Sequence, residues 1–206
     1  GTRLGLSGDG AKALAPGETL TLPTAFVMAH EGDHFRPLDA YRRIMGERGL
    51  AAPRIPESSY GPIWCAWGYE RKFTPEQVYG TLPKAKELGF EWAVIDDGWQ
   101  IAEGNWDVDR TRFPRGDADM KAFADRIKAD GMRPRLWLAP LAVDPGTPLL
   151  RDHPDMLILD AHGATQNVSW WSAFTMCPAY QPTIDYFRGI VRKIVGEWGF
   201  DGLKLD

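Results

Sequence analysis

A chain of 206 residues, 44% hydrophobic and 25% charged, has the composition of a globular protein and enough length for one large domain or parts of two. Its net charge of −4 and pI near 5.6, with no Lys/Arg run, argue against nucleic acid, an anionic membrane surface or a polyphosphate as partner. No apolar run approaches the ~20 residues of a membrane-spanning helix; residue 1 is Gly, so the natural N-terminus with any signal peptide is expected to lie outside this sequence, leaving the compartment open.

Residues 1–50 differ in pattern from the remainder of the chain. Ala15-Pro16-Gly17-Glu18 is a turn signal, and in Thr19 to Val27 the leucines Leu20 and Leu22 alternate with threonines as in a strand of a β-sandwich. Pro37 to Met45 then places Leu38, Tyr41 and Met45 at helical spacing behind a proline suited to a first turn. Residues 51–59, with Pro53 and Pro56 among small and polar residues, interrupt both periodicities and read as a linker.

From residue 60 to 206, strand and helix alternate. Pro62 to Trp67 is a short apolar run; Thr74-Pro75-Glu76-Gln77 is a capping box that opens an amphipathic helix with Val78, Leu82, Ala85 and Leu88 on one stripe. Gly89 stops it, and Phe90 to Ile95 is a continuous apolar strand of the kind parallel sheets bury. A second helix starts near Ala118 with Met120, Phe123 and Ile127, and leads through Gly131 into a strand over Arg133 to Leu138. A third, with Phe187, Ile190, Val191, Ile194, Val195 and Trp198, ends at Gly199 before the last strand, Gly202 to Asp206. Four strand-helix steps mean an α/β parallel sheet, barrel or doubly wound.

Two features favour the barrel. No G-x-G-x-x-G or G-x-x-x-x-G-K follows a strand, and Gly5, Gly8 and Gly10 sit in the N-terminal β segment, where no helix follows to hold a phosphate. Polar and aromatic residues also recur at successive strand ends: Trp64 and Trp67, then Asp96-Asp97-Gly98-Trp99, then Arg135 and Trp137, then Lys204 and Asp206. Active sites of α/β barrels are built at that end of the strands. Lys204 and Asp206, two apart, share one face while Leu203 and Leu205 take the other. The resulting fold class is α/β, the first half of a (β/α)8 barrel preceded by the tail of a β-sandwich domain.

Other motifs carry less. His30-Glu31-Gly32-Asp33-His34 matches H-E-x-x-H, but Gly32-Asp33 is turn chemistry and the next helix begins only near Pro37, so the shared helix face that zinc needs is missing; no metal or other cofactor is expected. Cys65 and Cys177 are too few for a disulfide framework, and one bridge between them is left open. Asn167-Val168-Ser169 fits a glycosylation acceptor, a pattern frequent by chance. Nine tryptophans suit sugar rings as well as a core.

Taken together and in this order, Trp64-Cys65-Ala66-Trp67, Ile95-Asp96-Asp97-Gly98-Trp99-Gln100, Leu136-Trp137-Leu138-Ala139-Pro140 and Gly202-Leu203-Lys204-Leu205-Asp206 resemble the α-galactosidases of glycoside hydrolase family 36, the melibiase type. The resemblance implies a retaining hydrolase that cleaves terminal α-galactosides of the raffinose or melibiose type through a covalent glycosyl-enzyme. It makes Asp206 the catalytic nucleophile, Asp96 and Asp97 the acceptors of the galactose 4- and 6-hydroxyls, and Lys204 a donor to a ring hydroxyl with its charge beside Asp206. Trp67 and Trp137 become walls of the sugar subsite, with Trp64 beside them. The acid/base carboxylate is expected on a later strand, beyond Asp206. The chain departs from the family at Ala139-Pro140-Leu141, where many relatives carry a carboxylate near the proline, which puts the outer subsite in doubt. Residues 143–179, with Trp170-Trp171, read as a long loop shaping aglycone specificity or contacts in a homo-oligomer. The alternatives are an α-N-acetylgalactosaminidase, a galactosyl-transferring relative and, from another class, a noncatalytic galactoside-binding half-barrel.

Overall fold

The structure, a computed structural model, describes residues 13–22, 24–50, 53–168 and 171–206, which fall into two units, Gly1–Ile55 and Pro56–Asp206. Gly5, Gly8 and Gly10, and the residues Ser169 and Trp170, lie outside the described residues. In the first unit, helix α1 spans Phe35–Glu47, a turn longer than the periodicity of Pro37 to Met45 suggests. Tyr41 meets Phe26 edge-on at 6.5 Å, and the Arg48 guanidinium lies 4.8 Å over the Phe26 ring. The strand expected over Thr19 to Val27 is not formed among the described residues: none of them pairs with this stretch, and Leu20 and Leu22 stay exposed. His34 stands at the start of α1 while Gly32, at φ +95°, turns the chain before it, so His30 and His34 share no helix face.

The second unit is organised by a four-stranded parallel sheet of β1 (Ile63–Cys65), β2 (Trp92–Ile95), β5 (Arg133–Leu138) and β9 (Gly202–Leu205), paired in that order. The first two are shorter than their apolar runs; Phe90 lies outside the strand because β2 pairs only where β1 and β5 flank it. Helix α2 (Pro75–Glu87) begins with the expected box: Gln77 N donates to Thr74 Oγ1 and Thr74 N to Gln77 Oε1. Helix α3 (Asp117–Ala129) follows. Val78, Leu82 and Ala85 of α2 and Met120, Phe123, Ala124 and Ile127 of α3 close over Ala93, Ile95 and Leu136 in one core. Each large apolar side chain buried there contributes about 1.5–3 kcal/mol. Helix α5 (Gln181–Arg192) runs into a π-helical turn, Lys193–Glu197, which resets the helical register so that Trp198 is buried while Val195 is exposed.

Register fixes what the two faces of the sheet carry. Cys65, Val94, Arg135 and Gly202 lie in one row, and alternation puts Asp96, Trp137 and Lys204 one step further along the same face. Trp64, Ala93, Leu136 and Leu203 form the row facing the helices. Arg135 is therefore on the site face: its guanidinium lies 4.1 Å over Trp92, on the same face, and next to Gly202.

Two insertions escaped the sequence reading. After β2 the chain makes a hairpin, β3 (Gln100–Ala102) and β4 (Asn105–Val108), closed by Glu103-Gly104. The stretch read as a long loop holds β6 (Ala142–Val143), the short helix α4 (Pro148–Asp152), β7 (Asn167–Val168) and β8 (Ala173–Thr175), the strands forming an antiparallel sheet ordered β6-β8-β7. Strands of two to four residues are too short for their alternation to register in sequence.

Candidate active site

Seven side chains converge on a cavity of about 270 Å³, six from the parallel strands and their ends and Trp171 from the turn before β8: Trp67, Asp96, Asp97, Trp137, Trp171, Lys204 and Asp206. A larger cavity of about 500 Å³ lies along α5, but Leu141, Pro178, Ile184, Phe187 and Val191 give it apolar walls without a carboxylate. The smaller one holds the chemistry.

Adjacent carboxylates reach one cavity because β2 ends at Ile95. Asp96 and Asp97 sit where the backbone leaves the pleat and turns at Gly98, with φ +109°. The hairpin of β3 and β4, not a helix, follows the turn. Asp96, 4% exposed, is held by three donors: Oδ1 accepts the Asp97 amide at 2.9 Å, and Oδ2 accepts Lys204 Nζ at 2.7 Å and Cys65 Sγ at 3.0 Å. Burial and the Asp96 carboxylate push the Cys65 thiol up to about 11, so it acts as a neutral donor at physiological pH. Burial by itself would lower the Lys204 ammonium; the hydrogen bond and charge of Asp96 outweigh it and hold the group above its ordinary value. Lys204 thus pairs directly with Asp96, while the charge of Asp206 on the same cavity also acts to raise it.

Asp97 is anchored differently. Its Oδ1 accepts Gln100 Nε2 at 2.7 Å and its Oδ2 faces Arg71 Nε at 3.1 Å, while Gln100 Oε1 accepts the Gly98 amide. Burial raises its carboxyl above the ordinary range even so, with Gln100 and Arg71 opposing. Asp206 Oδ2 accepts Trp137 Nε1 at 3.0 Å, and the Trp137 carbonyl in turn accepts Trp99 Nε1 at 2.9 Å. Trp137, 1% exposed, is therefore a core residue whose indole edge orients Asp206. Trp67, at the rim, is half exposed.

Trp64 is the one expected site residue that the fold does not bring to the cavity. It packs against the core on the helix side of β1, and its neighbour Cys65 takes the site face. Arg71 and Gln100 were missed, and Trp171, read only as part of the long loop, lines the cavity. Trp171 lies T-shaped on Trp137 at 5.9 Å, carried by a turn in which Ser172 adopts φ +55°. Both cysteines are free thiols.

A parallel α/β sheet with carboxylates, a lysine and tryptophans converging at the C-terminal strand ends defines the ligand-binding half of a barrel enzyme site. Comparison with known proteins makes the class particular. The melibiase family model matches residues 62–206, and the chain belongs to that family. An A type blood α-D-galactosamine galactosaminidase of Flavonifractor plautii is 28% identical over 205 residues, covering 95% of this chain and 19% of the relative. An α-galactosidase of Escherichia coli is 28% identical over 207 residues, covering 96% and 28%. The α-galactosidase TtGalA of Thermus thermophilus, solved with p-nitrophenyl α-D-galactopyranoside and with stachyose, superposes with a TM-score of 0.69 at 30% identity over 85% of this chain and, in the first of these structures, 35% of that one. The chain thus spans less than a third of the length of these two curated relatives.

Proposed function

We propose that the protein of which this chain forms part is a retaining α-galactosidase, in which the cavity binds the terminal galactose. The observation that carries the reading is the convergence of Asp96, Asp97, Lys204 and Asp206 on one cavity under Trp137. Asp206, oriented by the Trp137 indole, attacks the anomeric carbon and forms a glycosyl-enzyme as the glycosidic bond breaks. A second carboxylic acid, which we assign to a strand beyond Asp206, protonates the leaving oxygen and then deprotonates the attacking water; retention requires it ~5–5.5 Å from the nucleophile. Asp96 and Asp97 accept from the 4- and 6-hydroxyls, and a wrong epimer leaves a buried carboxylate without its partner. Raffinose-type oligosaccharides fit the reading, since TtGalA was solved with stachyose.

A galactosaminide-cleaving enzyme is the second reading, favoured by the similarity to the F. plautii protein over 95% of this chain. Hydrolysis of p-nitrophenyl α-galactoside, beside the α-glucoside and α-galactosaminide, decides between them. The complete gene product is expected to prefer the galactoside by more than about a hundredfold over the glucoside. Preference for the galactosaminide would install the second reading. Galactose binding without turnover of any of the three would install a noncatalytic binding role.

A further inference from the structure

Behind Asp97 stands a charge arrangement that the sugar contacts do not use. Among the described residues, Arg71 is the single cation between three carboxyl groups: its Nε lies 3.1 Å from Asp97 Oδ2, its terminal nitrogen 3.1 Å from Glu103 Oε1, and Asp144 adjoins Glu103. We propose that Arg71 is a positioning residue that holds Asp97 toward the substrate, and that the Glu103–Asp144 pair sets how much of the arginine's charge Asp97 receives. The proposal rests on the reading of Asp97 as a sugar contact.

Geometry makes the arrangement rigid. The Arg71 carbonyl accepts Arg112 at 2.8 Å, and the neighbouring Phe73 carbonyl accepts it at 2.7 Å. Arg71 follows Glu70, a non-glycine residue at φ 54°, ψ −161°, a conformation that persists only where surroundings impose it. Gly98 packs against the Arg71 backbone with no room for a Cβ, so the turn that carries Asp97 and the segment that carries Arg71 are locked together. Glu103, 1% exposed, is held from behind as well. Its carbonyl accepts the Asp144 amide at 2.8 Å, Gly104 lies hard against Val143, and Tyr186 of α5 donates to the Gly104 carbonyl.

A guanidinium suits this place and an ammonium does not. The planar fork meets two carboxyl groups in two directions at once, whereas a lysine presents one point charge. Burial raises both Glu103 and Asp144, which favours the neutral form of each. A protonated Glu103 leaves the charge of Arg71 to Asp97; an ionised one shares it. The groups acting on Asp97 are then Arg71, Gln100, Glu103, Asp144 and the adjacent Asp96, itself tied to Lys204 and Cys65.

The test is the titration of the Asp97 carboxyl carbon by NMR, its signal identified by loss in Asp97→Asn, in the unmodified protein and in Arg71→Ala, Arg71→Lys and Glu103→Gln. Arg71→Ala is expected to move the Asp97 midpoint to higher pH, because burial is left unopposed by the arginine. Glu103→Gln, which mimics the protonated partner, is expected to move it lower. Arg71→Lys should not restore the unmodified midpoint. In the complete gene product, KM for p-nitrophenyl α-galactoside should rise about tenfold in Arg71→Ala, more than kcat falls, and its acid limb should shift the same way as the NMR midpoint. The Arg71 side chain is half exposed and Gln is isosteric with Glu, so neither variant opens a sealed cavity. Midpoints that move together or stay put overturn the proposal. Absence of hydrolysis by the unmodified protein strikes the functional reading alone, because the carboxyl titration needs no substrate.

Discussion

Asp206→Gly in the complete gene product is expected to lower hydrolysis of p-nitrophenyl α-galactoside by about four orders of magnitude or more, and added azide to restore turnover with β-galactosyl azide as product. The reason is geometric. Asp206 presents Oδ2 to the Trp137 indole at 3.0 Å, which fixes the carboxylate at the cavity wall between Trp137 and Lys204. Deleting it leaves a space where a small anion can approach the face of the sugar that the carboxylate attacked. Glycine also removes the acceptor of a deeply buried indole N–H, a penalty of about 1–3 kcal/mol that would blur an activity loss with a structural one. Asp206→Asn separates the two: it keeps an acceptor for Trp137 and the shape of the cavity but has no nucleophilic oxygen charge. Both variants should be inactive with near-normal galactose binding in Asp206→Asn, and rescue by azide only in Asp206→Gly identifies the attacked face. Retained hydrolysis in Asp206→Asn would remove Asp206 from the nucleophile role.

The parts of this site legible in the sequence were those that regular strands position. Period-two alternation places Lys204 and Asp206 on one face, and the recurrence of polar residues at strand ends points to the barrel mouth. What stayed hidden depends on where regular structure stops. Trp64 and Cys65 are neighbours in β1, so which of the two meets the site depends on the register of a three-residue strand that sequence cannot fix. Lys204 shares a face with Asp206, two residues on; the parallel pairing of β9 with β5, and of β5 with β2, also brings it to Asp96, 108 residues away, a contact that spacing does not announce. Arg71 and Glu103 sit in a kinked 3-10 segment and a hairpin turn, elements with no apolar period to announce them. The N-terminal alternation of leucines and threonines is the converse case. A pattern that reads as a strand forms none among the described residues, because a ladder needs a partner and β propensity measures packing against neighbours.

Gly98→Ala is expected to be the most damaging single-methyl change in the second unit. At φ +109° an L side chain costs about 1–2 kcal/mol by itself, and the added Cβ would overlap the Arg71 carbonyl and come within 2.9 Å of its Cα. That backbone has nowhere to go, since Arg112 holds the Arg71 and Phe73 carbonyls and Arg112 is itself packed over the Phe73 ring. Overpacking against backbone adds to the conformational cost, giving a loss of about 3 kcal/mol or more and a drop in Tm of roughly 6–12 °C for a unit of this size. Gly80→Ala is the matched comparison: Gly80 lies exposed within α2 with open space at its Cβ position, and alanine there should stabilise by about 0.5–1 kcal/mol. Thermal unfolding of the two variants reads this directly. The site should register the same change, because the amide of Gly98 binds Gln100, which holds Asp97. Galactoside affinity is therefore expected to fall in Gly98→Ala even below the onset of unfolding, and to be untouched in Gly80→Ala. A Gly98→Ala protein with unchanged Tm and affinity would show that the turn and the Arg71 segment can separate, and would remove the physical reason for two neighbouring carboxylates facing one sugar.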